Sequence, residues 1–215
     1  FLNEAKSFKN NFDWNKKGLN KGTRLWKLNL HYFHWIVNAS DQDFIFFIND
    51  WIDKNRPYQK EYWLDSWNSY ALSIRVCTWM NEITKRSQSL DSDFIKKVDL
   101  SIIEQVNFLN NNLELDIGGN HLIKNIKALL LASSYFEGKN SDRWREIGSN
   151  HLRKELKKQI LNDGFHFELS PSYHCDVFED LMDCYIHLDN SSIKKTLYNK
   201  LYDMAIVIKT FTHSD

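Results

Sequence analysis

The sequence predicts an all-α fold, an array of antiparallel helical hairpins. Three observations carry that reading. Apolar residues recur at three- and four-residue steps along nearly the whole chain. No alternating strand pattern appears, apart from a short extended candidate at residues 165–169. The two prolines, Pro57 and Pro171, fall between the helical segments, where a missing backbone N–H costs no helical hydrogen bond.

Each element has its own signal. Residues 25–37 are apolar and aromatic almost all round, which predicts one deeply buried helix. Asp41 is placed to cap the next, where Phe44, Phe47, Ile48, Trp51 and Ile52 share a face. A third helix is expected over 70–83, and Phe94, Val98, Ile102, Val106 and Leu109 mark a fourth. The fifth spans 122–136, with Gly138 as its C-cap, and Ser141 opens the sixth, which runs to Ile160. Residues 177–188 and 193–211 form the last pair, with Ser191 as a cap between them. Eight helices with short connections read as four hairpins. No exact repeat is present, which disfavours a consensus solenoid.

Composition narrows the function classes. The 215 residues are 42% hydrophobic, enough for a real core, and the chain is read as one helical domain over 1–215. Its opening residues, Phe1-Leu2-Asn3-Glu4-Ala5-Lys6, hold neither an initiator Met nor a signal peptide, so a piece of a longer protein, or a mature form, is expected. Lys plus Arg equals Asp plus Glu at 28 each, so no general basic field calls for a nucleic-acid partner. No apolar run approaches the roughly 20 residues of a membrane span. Cys77, Cys175 and Cys184 are odd in number and never closely spaced, so neither a CxxC metal site nor a dithiol redox centre is indicated. No cofactor or metal is expected: His31 and His34, one turn apart, lack a third ligand and sit among aromatics. The aromatic content (8 Trp, 9 Tyr, 14 Phe) suits a carbohydrate cleft as well as a helical core.

Two segments concentrate polar chemistry. Gly118-Gly119-Asn120-His121 sets an amide and an imidazole after a flexible joint, at the mouth of an apolar helix. The stretch Asp163-Gly164-Phe165-His166-Phe167-Glu168-Leu169-Ser170-Pro171-Ser172-Tyr173-His174 crowds ionisable groups into a loop held by its proline. Asn120 is also a good N-cap for the following helix, and the two roles are compatible. Tyr173 needs cationic or hydrogen-bonding help to ionise, since a free phenol titrates near 10, and His166 and His174 are its sequence neighbours.

In order along the chain, four motifs resemble the heparinase II/III-like polysaccharide lyases. They are Leu25-Trp26-Lys27-Leu28-Asn29-Leu30-His31-Tyr32-Phe33; the set Trp67, Tyr70, Ser73, Arg75 and Trp79; Asn120-His121; and Ser170-Pro171-Ser172-Tyr173-His174. The resemblance implies an incomplete α/α toroid followed by a β-sandwich, which this chain does not contain and which would complete the cleft in cis. It implies β-elimination on an acidic polysaccharide carrying uronic acids, heparan sulfate-, alginate- or exopolysaccharide-like, in a bacterial periplasmic or secreted setting. Asn120 would neutralise the uronate carboxylate, Tyr173 would act as acid and perhaps also base, and His121 would assist or be the base. Arg75, Trp67, His166, Glu168 and His174 are the candidate substrate-binding residues.

Two other classes fit parts of the pattern. A glycoside hydrolase needs two carboxylates flanking one bond, for which Asp163, Glu168, Asp176 and Glu179 are candidates. A non-catalytic helical carbohydrate-binding domain needs only the aromatic surface. The fragment by itself is expected to be inactive.

Overall fold

The computed structural model describes residues 13–14, 23–189 and 192–212. All eight helices are present. They are α1 Thr23–Tyr32, α2 Asp41–Lys54, α3 Ser69–Arg86, α4 Ser92–Asn111, α5 Gly119–Tyr135, α6 Lys139–Gln159, α7 Pro171–His187 and α8 Ser192–Phe211, with a 3-10 helix His34–Asn38 after α1. Among the described residues no strand forms. The extended candidate at 165–169 amounts to one antiparallel bridge, Ile160 to His166.

Several boundaries differ from those expected, for local reasons. The helix foreseen over 25–37 breaks at Phe33, whose φ of 64° is left-handed and cannot continue an α-helix. Ser40, not Asp41, caps α2, its hydroxyl accepting from the Asp43 N–H. Asn68 caps α3 through the Ala71 N–H. Gly138 stands before α6 as its N-cap, and Phe136 closes α5. Pro171 is the first residue of α7, where its fixed φ suits the helix and its absent N–H is no loss. The proposed cap Ser191 lies outside the described residues.

The chain divides into two compact units, Phe1–Leu109 and Asn110–Asp215. In the first, an aromatic core gathers Phe33, Trp51 and Trp79 edge to face, with centroids 5.2 to 6.3 Å apart. His31 is buried there too, its Nδ1 accepting from the Trp51 indole N–H at 3.0 Å. In the second unit α5 packs against both α6 and α7, and α8 packs on α7. Leu122, Ile126, Leu156, Val177, Leu181 and Met204 share one core there. Each such side chain contributes roughly 1.5–3 kcal/mol on burial, which outweighs the weak individual helix propensities.

Candidate active site

The two chemical motifs open two parallel helices of the second unit. Lys124 reaches Asp180 at 2.6 Å, Lys127 reaches Asp183 at 2.5 Å, and the Ser134 hydroxyl meets His187 Nδ1 at 2.7 Å. Partners on α5 and α7 advance together, so the helices run the same way and their N-termini share one end. Asn120 and His121 are the second and third residues of α5; Tyr173 is the third of α7.

Asn120 does not cap its helix. Gly118 holds the N-cap position without any side-chain bond, and α5 begins at Gly119. The Asn120 amide is half-buried and makes no hydrogen bond to another described residue.

His121 is held by Glu114, whose Oε1 lies 3.0 Å from Nδ1. An ionised carboxylate only accepts, so Nδ1 carries the proton and Nε2 presents the ring's lone pair. Glu114 is itself buried and fixed. Its Oε2 accepts from the Asn125 amide and its backbone N–H donates to Asn125 Oδ1, both at 2.9 Å.

Tyr173 is 45% exposed, and its hydroxyl makes no hydrogen bond within the described residues. A cavity of about 300 Å³ between the first turn of α7 and the end of α8 is lined by Pro171, His174, Cys175, Ile208 and Phe211, and Tyr173 is not part of its wall.

The loop joining α6 to α7 supports this end. The Gln159 amide donates to the Gly119 carbonyl at 3.1 Å and to Glu155 at 2.6 Å. Its Oε1 therefore accepts from His166 Nε2, at 2.9 Å. The His166 backbone N–H donates to His174 Nδ1 at 3.1 Å, and His174 Nε2 donates to the Met204 carbonyl at 3.1 Å. Both nitrogens of His174 are thus engaged, whereas His166 keeps Nδ1 buried and without a partner among the described residues. Burial holds His166 below its ordinary pKa, His174 adding to the effect and Glu168 opposing it.

Four of the five expected substrate contacts are buried. His166 and His174 are 0% and 1% exposed, and neither is available to ionise Tyr173 as their place in the sequence suggests. Arg75 and Trp67 lie in the core of the first unit. The Arg75 guanidinium sits 3.9 Å from the Trp51 ring centroid, donates through Nε to Gln105 at 2.8 Å and through Nη1 to the His31 carbonyl at 3.3 Å. Trp67 donates its indole N–H to the Asn55 carbonyl at 2.8 Å. Glu168 alone of the five is exposed. Its Oε1 comes within 2.6 Å of where a Cβ on Gly119 would stand, so the carboxylate hangs over the positive end of α5, beside Asn120. Gly119 also has φ of +52°, so a side chain there would be strained twice over.

Glu114, Asn125 and Gln159 escaped the sequence reading. Glu114 lies in the loop between α4 and α5, so its seven-residue spacing from His121 is not that of one helix face. Among the described residues no group of three or more His, Cys, Asp or Glu could hold a metal ion, and no helix is long and apolar enough to cross a membrane.

The heparinase II/III N-terminus family matches residues 8–208. The chain belongs to this family. A heparin-sulfate lyase of Bacteroides thetaiotaomicron is 28% identical over 145 residues, covering 66% of this chain and 20% of that protein. The crystal structure of heparinase III superposes with a TM-score of 0.73 at 21% identity, over 96% of this chain and 34% of that one. Heparan sulfate lyase HepC from Pedobacter heparinus gives 0.73 at 22% identity, over 94% and 34%. The heparinase II/III-type helical fold therefore extends over the chain, which spans about a fifth of the curated relative and a third of the solved ones.

Proposed function

We propose that the protein carrying this heparinase II/III-type domain is a lyase that cleaves uronic-acid-containing polysaccharide by β-elimination. The observation that carries the reading is the shared end of α5 and α7, where an uncommitted amide, a carboxylate-oriented imidazole and an exposed phenol begin two parallel helices. The named relatives, a heparin-sulfate lyase and a heparan sulfate lyase, support the same substrate class.

The chemistry asks for three things. The proton at C5 of the uronate is weakly acidic, so the adjoining carboxylate must be hydrogen-bonded as enolate charge develops; Asn120 donates to it. A base takes that proton: His121 through Nε2, with Glu114 stabilising the imidazolium that forms. The C4–O bond then breaks, a C4=C5 double bond forms, and Tyr173 gives its proton to the departing oxygen.

The test is to incubate the full-length protein with heparan sulfate, alginate and a uronate-bearing exopolysaccharide and to follow ultraviolet absorbance. An unsaturated uronate product establishes the lyase. New reducing ends without that absorbance would establish a hydrolase instead, and binding without cleavage a non-catalytic domain.

A further inference from the structure

Gln159, the last residue of α6, is fully buried and bonds several parts of the second unit at once. Its NH2 donates to the Gly119 carbonyl at 3.1 Å and to Glu155 Oε2 at 2.6 Å, so both amide hydrogens are used. Its Oε1 accepts from His166 Nε2 at 2.9 Å, and its backbone carbonyl accepts from the Phe167 N–H at 2.8 Å. The amide has one orientation. Turned over, it would set Oε1 against two acceptors and NH2 against a donor.

The bond to Gly119 bears directly on the site. The Gly119 carbonyl and the Asn120 N–H belong to one planar peptide unit, so fixing the first fixes the second. Gly119 has φ of +52°, and a glycine joint is not stiff by itself. Gln159 supplies the missing restraint from outside α5. His166 extends it on the other side: its backbone N–H donates to His174 Nδ1, and His174 follows Tyr173 in the first turn of α7. His121 is restrained separately, by Glu114.

We propose that Gln159 is a positioning residue for the elimination. Through the Gly119 carbonyl it holds Asn120, and through His166 and His174 it holds the head of α7, so that Asn120 and Tyr173 keep a fixed separation. The role rests on the proposed lyase reaction; the hydrogen bonds do not. Gln159 is buried and touches no substrate, so its loss is felt where Asn120 meets the uronate carboxylate. A donor displaced by about 1 Å can cost roughly 10²-fold in rate when it must meet charge as that charge develops. Such a loss falls on kcat and leaves KM alone, because the interaction is made in the transition state.

The test places Gln159→Met, which keeps the length of the side chain and removes its polar atoms, in the full-length protein and in its Asn120→Ala variant. Gln159→Asn, whose amide falls one methylene short, carries the same comparison if the methionine variant does not fold; circular dichroism at low temperature establishes folding. Rates are followed by ultraviolet absorbance on whichever acidic polymer the parent cleaves. The expected result is kcat lowered about tenfold to a hundredfold with KM within about twofold of the parent. In the Asn120→Ala background the same substitution should cost less than about twofold, the non-additivity of residues that act through one another. Unchanged kcat overturns the role, and so does a raised KM with kcat intact. An equal loss in both backgrounds also overturns it, because Gln159 would then act on something other than Asn120. A parent that cleaves no acidic polymer overturns the proposed function, and this role with it.

Discussion

Glu114 and His121 face each other at 3.0 Å across the Gly118-Gly119 joint, the carboxylate accepting from the imidazole Nδ1. The second oxygen of the same carboxylate takes the Asn125 amide, and Asn125 returns a bond to the Glu114 N–H. One buried acid thus ties the loop to the first turns of α5 and sets the tautomer of the histidine beside Asn120. It links local fold to chemistry, since an imidazole protonated on Nδ1 is a base on Nε2.

Glu114→Gln should lower kcat of the full-length lyase by ~10²-fold or more, within the ~10²–10⁴-fold that a positioned base supplies. A glutamine can offer oxygen to His121 only by turning its NH2 toward the Asn125 amide, where two donors meet. It should also reduce stability by roughly 1–3 kcal/mol, the usual cost of a broken buried hydrogen bond. Steady-state kinetics and a denaturation curve check both, and unchanged kcat would remove Glu114 from the mechanism.

Tyr173→Phe should cut turnover by ~10²–10⁴-fold and leave polymer binding nearly intact, because one proton-donating oxygen is removed. Asn120→Ala should cost ~10²–10³-fold through lost charge stabilisation. Neither side chain bonds another described residue, so both variants should melt as the parent does. Retained rates with either variant would reassign that residue.

Periodicity made the helices legible because each buries one apolar face; α2 to α6 and α8 lie within a few residues of where the spacing predicts, while α7 begins at Pro171, six residues before the expected start at 177. It could not show the break at Phe33, which follows from a left-handed backbone in a run apolar on every side. The site was half legible. Asn120, His121 and Tyr173 stand out as polar side chains at helix starts. The fate of His166, His174, Arg75 and Trp67 was hidden, because nearness in sequence says nothing of whether a side chain turns inward. On α8, Leu197, Leu201 and Met204 are buried, while Tyr198, Tyr202 and Ile206 are exposed.

Gly164→Ala should destabilise the protein by more than the ~1–3 kcal/mol of a strained backbone residue. Gly164 has φ of +86°, and an added Cβ would stand 2.7 Å from the Asp203 carbonyl oxygen and 2.8 Å from its carbon. That neighbour is the backbone of α8, which cannot swing aside as a side chain can. The loop that carries His166 would shift away from Gln159. Thermal unfolding measures the loss, and an unchanged midpoint would show that the loop relaxes freely.

Stability should fall as pH drops below about 6.5, before the carboxylates begin to titrate near 4. Burial lowers the pKa of both His31 and His166, and in His31 the neighbouring Arg75 lowers it further. Each is neutral in the folded state, with one ring nitrogen buried and unpartnered: Nε2 of His31 and Nδ1 of His166. Between the ordinary histidine pKa and the depressed folded values, the unfolded chain binds protons that the folded chain does not. Their contribution is therefore complete above 6.5 and is lost as pH falls through the folded pKa values. Each such histidine adds up to about 1.4 kcal/mol per pH unit within that window. Urea midpoints at pH 7.5, 6.5 and 5.5 should decline in order, and His166→Gln, which cannot be protonated, should flatten part of the slope. Midpoints independent of pH over that range would mean that the two imidazoles bind protons alike in the folded and the unfolded chain.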